Sequence, residues 1–336
     1  MVGLWALVIG ILKFTVMVSD KQTLLILDSN AIIHRAYHAL PPLTNKRGEQ
    51  TGAVYGFLLA FFKALNDFSP NYLAACFDFP APSFRKEVSK DYKANRMKAD
   101  PELYAQIPLV KKILSAFGVR VFEKQGFEAD DLIGTIAHAS SFGPGSRVKS
   151  IILSGDHDVL QLVNSDISAS LLKQGIKDTA LFDSKAVMEK YGIEPAQLVD
   201  YKALRGDPTD NISGVKGIGP KTAAELLQKF QSLDQAYQEI EEGSERAKGI
   251  SLKTREMLLS QKDKCLTSRI LARIVIDAPI GFELEDCQWQ ELDKEKIAKI
   301  LEDFEFFSLA KRVRGADKIE KPKDTPPSFK KNLKLW

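Results

Sequence analysis

The sequence predicts an α/β domain with a mostly parallel sheet flanked by helices, followed by a second, helical region. Three observations carry this. Three apolar runs each stop on an aspartate: Leu24-Leu25-Ile26-Leu27-Asp28, Leu73-Ala74-Ala75-Cys76-Phe77-Asp78 and Ile151-Ile152-Leu153-Ser154-Gly155-Asp156. Such runs suit parallel strands buried on both faces. Helical patterns alternate with them, as in βαβ units, and from about Ser184 onward the pattern becomes helical.

In chain order, a strand is expected over 24–27, a helical stretch over 31–39, a polar turn over 44–50 and a long apolar helix over 54–66. The strand ending at Asp78 leads to a basic segment over 84–98, an amphipathic helix over 107–117 and a strand over 119–122. Glu128-Ala129-Asp130-Asp131 opens a further helix, its acids placed where the macrodipole favours negative charge. The strand ending at Gly155 follows, with an edge strand over 168–173. Helices are expected at 185–191, 196–205, 220–230 and 255–274. The implied organisation is an N-terminal extension over 1–22, the α/β domain over 23–183, the helical region over 184–313 and a basic tail or linker over 314–336.

A chain of 336 residues can bury a substantial core in one large or two ordinary domains. Its 44% hydrophobic and 27% charged content fits a soluble globular protein and excludes a disordered one. Cys76, Cys265 and Cys287 have no metal-binding spacing, so a reduced, cytoplasmic setting is expected. Residues 1–18 are mostly apolar but interrupted by Lys13. They lack the order of a signal peptide and the length of a membrane span, and Met17 could itself be a start. A non-native extension or an extra strand or helix is the preferred reading, with no membrane attachment. The net charge of +3 is uneven: from Lys311 onward nine Lys or Arg face three acids.

In an open α/β sheet the carboxyl ends of the strands face the ligand crevice, so Asp28, Asp78 and Asp156 should converge there. Glu128, Asp130 and Asp131 at a helix start, Asp158 beyond the third strand, and Asp207 and Asp210 further on add six more acids. Two carboxylates about 4 Å apart repel by about 4 kcal/mol at an effective dielectric near 20, so nine gathered together demand cations. An oxygen-only set suits two Mg²⁺ or Mn²⁺ ions. Taken singly, each acid is better explained as a helix cap or a solvated side chain; their joint recurrence at strand ends favours the metal cluster.

Two segments point to nucleic acid. Gly214-Val215-Lys216-Gly217-Ile218-Gly219-Pro220-Lys221-Thr222-Ala223 reads as a glycine hairpin entering a helix, with Pro220 in the first turn. It does not match a Walker A loop and suits a helix-hairpin-helix that grips a duplex backbone through Lys216, Gly217, Gly219, Lys221 and Thr222. The second segment contains Arg85, Lys86, Lys90, Tyr92, Lys93, Arg96 and Lys98. On a helix, Lys93 and Arg96 would share a face and hold a scissile phosphate while Tyr92 stacks on a base. An ordinary tight turn and a solvated basic helix are the plainer alternatives.

The residues Leu27-Asp28-Ser29-Asn30, Phe77-Asp78, Ser83-Phe84-Arg85-Lys86-Glu87, Tyr92-Lys93-Ala94-Asn95-Arg96, Gly126-Phe127-Glu128-Ala129-Asp130-Asp131, Gly155-Asp156-His157-Asp158, Gly206-Asp207 through Ala223 and Phe304-Glu305-Phe306-Phe307-Ser308-Leu309 together resemble the 5′-3′ exonuclease domain of bacterial DNA polymerase I, within the flap endonuclease superfamily. The resemblance spans roughly 23–313. It implies a PIN-like sheet, a helical arch near 84–98 and an H3TH-type helix-hairpin-helix. It also implies a monomeric, nucleoid-associated nuclease that cuts 5′ flaps, nicks and ends in DNA, and RNA primers in RNA-DNA hybrids, during replication and repair.

By position the resemblance implies that Asp28, Asp78, Glu128 and Asp130 serve one metal, and that Asp131, Asp156, Asp158, Asp207 and Asp210 serve the other. Lys93 and Arg96 would steer phosphate, with Asp130 and Asp156 indispensable to catalysis. Arg85 and Tyr92 would touch DNA, and the glycine hairpin would carry a K⁺ ion. His157 stands where the family usually has lysine and Ser213 where proline is common; neither removes a carboxylate. The competing readings are an RNA-directed PIN-type ribonuclease and a non-catalytic, structure-specific DNA-binding protein.

Overall fold

The computed structural model describes residues 22–96, 100–141, 148–173, 175–176, 178–290 and 293–315. Lys98, the extension over 1–21 and the tail from 316 onward lie outside the described residues.

Strand β1 (Gln22–Asp28) runs through the middle of the sheet, and Leu24, Leu25, Ile26 and Leu27 have no exposed surface. Its neighbours are β2 (Tyr72–Cys76) on one side, continued by β3 (Arg120–Phe122). On the other side lie β4 (Val148–Ser154), β5 (Ile167–Leu172) and β6 (Thr179–Phe182). The order is β3-β2-β1-β4-β5-β6. All pairs are parallel except β5 with β6. Chain direction across the sheet reverses between β1 and β4, and that switch point is where an open α/β sheet leaves a crevice.

Alternation along β1 divides the interior. Leu25 and Leu27 join Phe57, Phe61, Ile113 and Leu114 on one face, from the helices Gly52–Phe68 and Ile107–Ala116. Leu24 and Ile26 join Leu132, Ile133 and Ile136 of the helix Ala129–Ser141 on the other. Beyond that helix the same apolar cluster continues through Leu204, Leu226, Leu227 and Phe230 into the helical region. Cys76, Cys265 and Cys287 are free and buried. Among the described residues no helix is long and apolar enough to cross a membrane.

The structure departs from the sequence expectations at several points. The second strand ends at Cys76, two residues short of Asp78. The strand expected at the sheet edge is covered by β6, which folds back on it. The expected helix over 255–274 is two helices, Leu252–Ser260 and Lys262–Ala272, separated at Gln261. Helices at Leu233–Glu242, Lys294–Asp303 and Phe307–Val313 had no sequence counterpart. The last two do not belong with the helical region: Ile297, Leu301, Phe306 and Leu309 pack with Phe57 and Phe61 against the α/β sheet.

Among the described residues of the basic segment only Arg85–Val88 makes a helical turn, and residues 90–96 form successive turns with Lys93 at φ 53°. Lys93 therefore does not share a helix face with Arg96. Its left-handed backbone is held by a hydrogen bond from its N–H to the Asp210 carbonyl, 2.9 Å.

Candidate metal and nucleic-acid site

Parallel pairing sets the acids at one level. Asp28 lies opposite Cys76 across β1 and β2, and Leu27 lies opposite Leu153 across β1 and β4. The ends of three strands thus come together where β1 and β4 part. A cavity of about 460 Å³ opens there, lined by Asp28, Asp78, Glu128, Asp130 and Asp156 together with Lys93 and Arg96.

Each carboxylate is placed by backbone. Asp28 caps the helix Ser29–Ala39 through the Ala31 N–H, 3.1 Å, and accepts a hydrogen bond from Ser154 Oγ. Asp78 accepts from the Ala129 N–H, 2.8 Å, so it caps the helix that carries Asp130. Asp156 accepts from the Asp158 N–H, 3.0 Å, at the start of the 3₁₀ turn His157–Leu162. Among the described residues no hydrogen bond holds the Asp130 carboxylate. Burial, then repulsion from Asp28 and Asp156, pushes its pKa well above the usual range. Asp28 is pushed up to about 7 by burial, which the hydrogen bonds from Ser154 and the Ala31 N–H only partly offset, with smaller repulsion from Asp156 and Asp78 added.

The other acids have cationic partners of their own. Burial pushes the Glu128 carboxyl up, but Lys93 and Arg85 outweigh it and hold its pKa below the usual range. Lys93 Nζ lies 2.7 Å from Glu128 and 3.8 Å from Asp210, and Arg96 also bonds Asp210. Lys202 bridges Asp158 and Asp207, lying 2.8 Å from the latter. Burial and repulsion from Asp156 raise Asp158 to about 6 in spite of that lysine.

Three expected roles are overturned. Asp131 has no exposed surface, and its carboxylate already accepts two bonds from Arg85 at 2.7 Å, one from the Glu128 N–H and one from the Val275 N–H. With those acceptor sites filled, it cannot be a metal ligand in this arrangement. Arg85 is likewise no DNA contact: it is 2% exposed and also donates to the Leu271 and Arg273 carbonyls. Tyr92, 3% exposed, offers no open ring face for a base to stack on, and its hydroxyl lies 3.2 Å from both Glu128 and Asp210.

Among the described residues no group of three or more His, Cys, Asp or Glu stands close enough to hold a metal as it is arranged here. The donors nevertheless fit a hard cation. They are all oxygens, and Asp28 and Asp130 face each other's charge with no lysine or arginine paired to either among the described residues. Asp28, Asp78, Asp130 and Asp156 form the set that no lysine or arginine neutralises among the described residues. Glu128, Asp158, Asp207 and Asp210 form an outer set that internal cations already hold.

The glycine hairpin joins the helices Leu198–Arg205 and Pro220–Phe230. Gly214 and Gly206 meet backbone to backbone: a Cβ on Gly214 would lie 2.2 Å from the Gly206 nitrogen, and both have positive φ. This contact turns the chain so that Lys216, Gly217, Gly219 and Lys221 are exposed, with Thr222 half-buried.

Sequence reasoning missed Lys202, Asn30, His34, Arg35 and His38. The last four line the cavity. His34 and His38 are four residues apart on the helix that Asp28 opens, a spacing that could have placed them beside it. Lys202 gave no comparable signal, since its partners Asp158 and Asp207 come from separate segments.

A family described as 5′-3′ exonuclease, N-terminal resolvase-like domain, matches residues 23–192, and one described as 5′-3′ exonuclease, C-terminal SAM fold, matches residues 193–295. DNA polymerase I of Bacillus subtilis is 37% identical over 91% of this chain, and that of Caldicellulosiruptor bescii is 39% identical over 88%. The chain spans 34% of the length of each of these relatives. The fold is similar to that of the T5 5′-exonuclease with bound zinc, at a TM-score of 0.60 and 19% identity, over 88% of this chain and 99% of that one. It is also similar to the catalytic core of Rad2 in complex with DNA substrate, at a TM-score of 0.54 and 16% identity, over 88% of this chain and 91% of that one.

Proposed function

Because this chain belongs to the 5′-3′ exonuclease family, we propose that it hydrolyses phosphodiester bonds at 5′ ends, nicks and flaps of DNA, and in RNA paired to DNA, with two divalent metal ions, Mg²⁺ or Mn²⁺. One observation supports this above the rest: five carboxylates drawn from four segments of the chain line one cavity beside Lys93 and Arg96. The bacterial relatives make the cytoplasm, on nucleoid DNA, its expected place of work.

Asp28, Asp78, Asp130 and Asp156 would hold the first ion, and Asp158 with Asp207 the second. When bound, such ions ionise water near neutral pH and stabilise the leaving oxygen. Lys93 and Arg96 present fixed positive charge at the cavity wall, where it stabilises a phosphate that gains charge during displacement. Burial opposes the Lys93 ammonium, yet Glu128 and Asp210 more than compensate and keep it charged. The exposed amides and lysines of the glycine hairpin hold the duplex backbone without reading bases.

The test is cleavage of 5′-flap, nicked and linear duplexes, with single-stranded RNA as a control, in Mg²⁺ and in EDTA. Mg²⁺-dependent cutting of the flap or nicked DNA supports the reading. Activity in EDTA, or on single-stranded RNA alone, overturns it.

A further inference from the structure

The outer acids differ from the inner ones in one respect: the chain supplies their cation. Lys202 lies on the helix Leu198–Arg205, and its ammonium sits between Asp207 Oδ2, at 2.8 Å, and Asp158 Oδ1. All three side chains are largely shielded, with 17%, 14% and 20% of their surface exposed for Lys202, Asp207 and Asp158.

The position is built from both ends. Asp207 is held in a small bridge, its N–H and carbonyl each bonded to Ile212 at 2.8 Å, while its carboxylate also accepts from the Thr209 N–H at 2.9 Å. Asp158 is fixed by the 3₁₀ turn that follows β4. Lys202 thus joins the α/β sheet to the hairpin through two charge-assisted bonds, the stronger class of hydrogen bond. A divalent ion bound by the same two carboxylates would need the place that the ammonium occupies.

We propose that Lys202 is an internal counter-ion which closes the Asp158–Asp207 pair, so that the second divalent ion binds only by displacing its ammonium, while the first binds the inner acids without competition. This rests on the two-ion reading above. It makes ion occupancy sequential, and it makes Lys202 a positioning residue that sets the affinity of one site only.

Calorimetric titration of Mn²⁺ into the wild-type chain and into Lys202→Met, which keeps the apolar stem, tests this. Wild type is expected to bind one ion tightly and a second at least about tenfold more weakly. In Lys202→Met the second dissociation constant should fall by about tenfold or more while the first is unchanged. A second constant that is unchanged or raised, with the first intact, overturns the proposal alone. Failure of wild type to bind any ion overturns the two-ion reading as well.

Wild-type protein supplies a measurement that needs no folded variant. Lysine acylation by an N-hydroxysuccinimide ester, read by mass spectrometry, should be slow at Lys202 in EDTA and several-fold faster at saturating Mn²⁺, when the amine is displaced. Equal labelling in the two conditions overturns the proposal.

Discussion

Arg85 and Asp131 form a two-pronged ion pair, each nitrogen 2.7 Å from its oxygen, at a depth where neither side chain meets solvent. The neighbouring Asp130 lines the cavity and has no such partner among the described residues. Two adjacent acids at one helix start therefore carry opposite duties. Asp131 ties the segment after the helix Lys262–Ala272 to the sheet domain, and Asp130 brings a buried carboxyl to the cavity wall.

Substituting one member of a buried pair strands the other's charge. Asp131→Asn should lower unfolding free energy by about 3–5 kcal/mol, measured by urea denaturation. Divalent-ion affinity of the folded fraction should be little changed, because this carboxylate faces Arg85 and not the cavity. A loss of ion affinity with stability intact would restore it as a ligand.

Asp130→Asn removes a carboxyl whose charged form is opposed by burial first and then by repulsion from Asp28 and Asp156. In EDTA the variant should melt at a higher temperature than wild type, by about 2–4 °C for each kcal/mol relieved. In Mg²⁺ the order should reverse, and flap cleavage should be abolished. Thermal scans in the two buffers check the first statement, and a single-turnover assay checks the second.

Lys93→Ala and Arg96→Ala should each slow single-turnover cleavage by about 10²–10³-fold, the range for removing one donor from a preorganised charged site. Duplex affinity, measured by fluorescence anisotropy, should be largely retained, as the proposed role of the hairpin requires. Unchanged rates would remove both residues from catalysis.

The hairpin glycines are not equivalent. Gly214→Ala would drive a methyl group into the backbone of Gly206, whereas at Gly217 the first obstacle is the flexible Met257 side chain, 2.6 Å from the added carbon. Gly214→Ala should therefore cost several kcal/mol in unfolding free energy and abolish duplex binding. Gly217→Ala, strained at φ 98°, should cost about 1–3 kcal/mol and weaken binding less. Equal effects would contradict the close contact.

The sheet and its crevice were legible because buried parallel strands leave continuous apolar runs, and those runs ended near Asp28, Asp78 and Asp156. The neutralised acids were not. Nothing in the spacing of Arg85 and Asp131, 46 residues apart, separates an ion pair from two ligands. Tyr92 read as a stacking platform because its burial depends on Glu128 and Asp210 closing over its hydroxyl, a tertiary event. A helix that would put Lys93 and Arg96 on one face was only a conditional reading, and Lys93 has a left-handed backbone locked to the Asp210 carbonyl, which breaks the helical repeat. The terminal helices escaped notice because each is short, 10 and 7 residues, and gains its stability by docking on distant Phe57 and Phe61.

That docking bears on where the chain can be cut. The 5′-3′ exonuclease match stops at residue 295, yet Ile297, Leu301, Phe306 and Leu309 cover one greasy flank of the sheet. A fragment trimmed at residue 295 would bare that flank to water and clump, so any trimmed version for biophysical work should run at least through Val313.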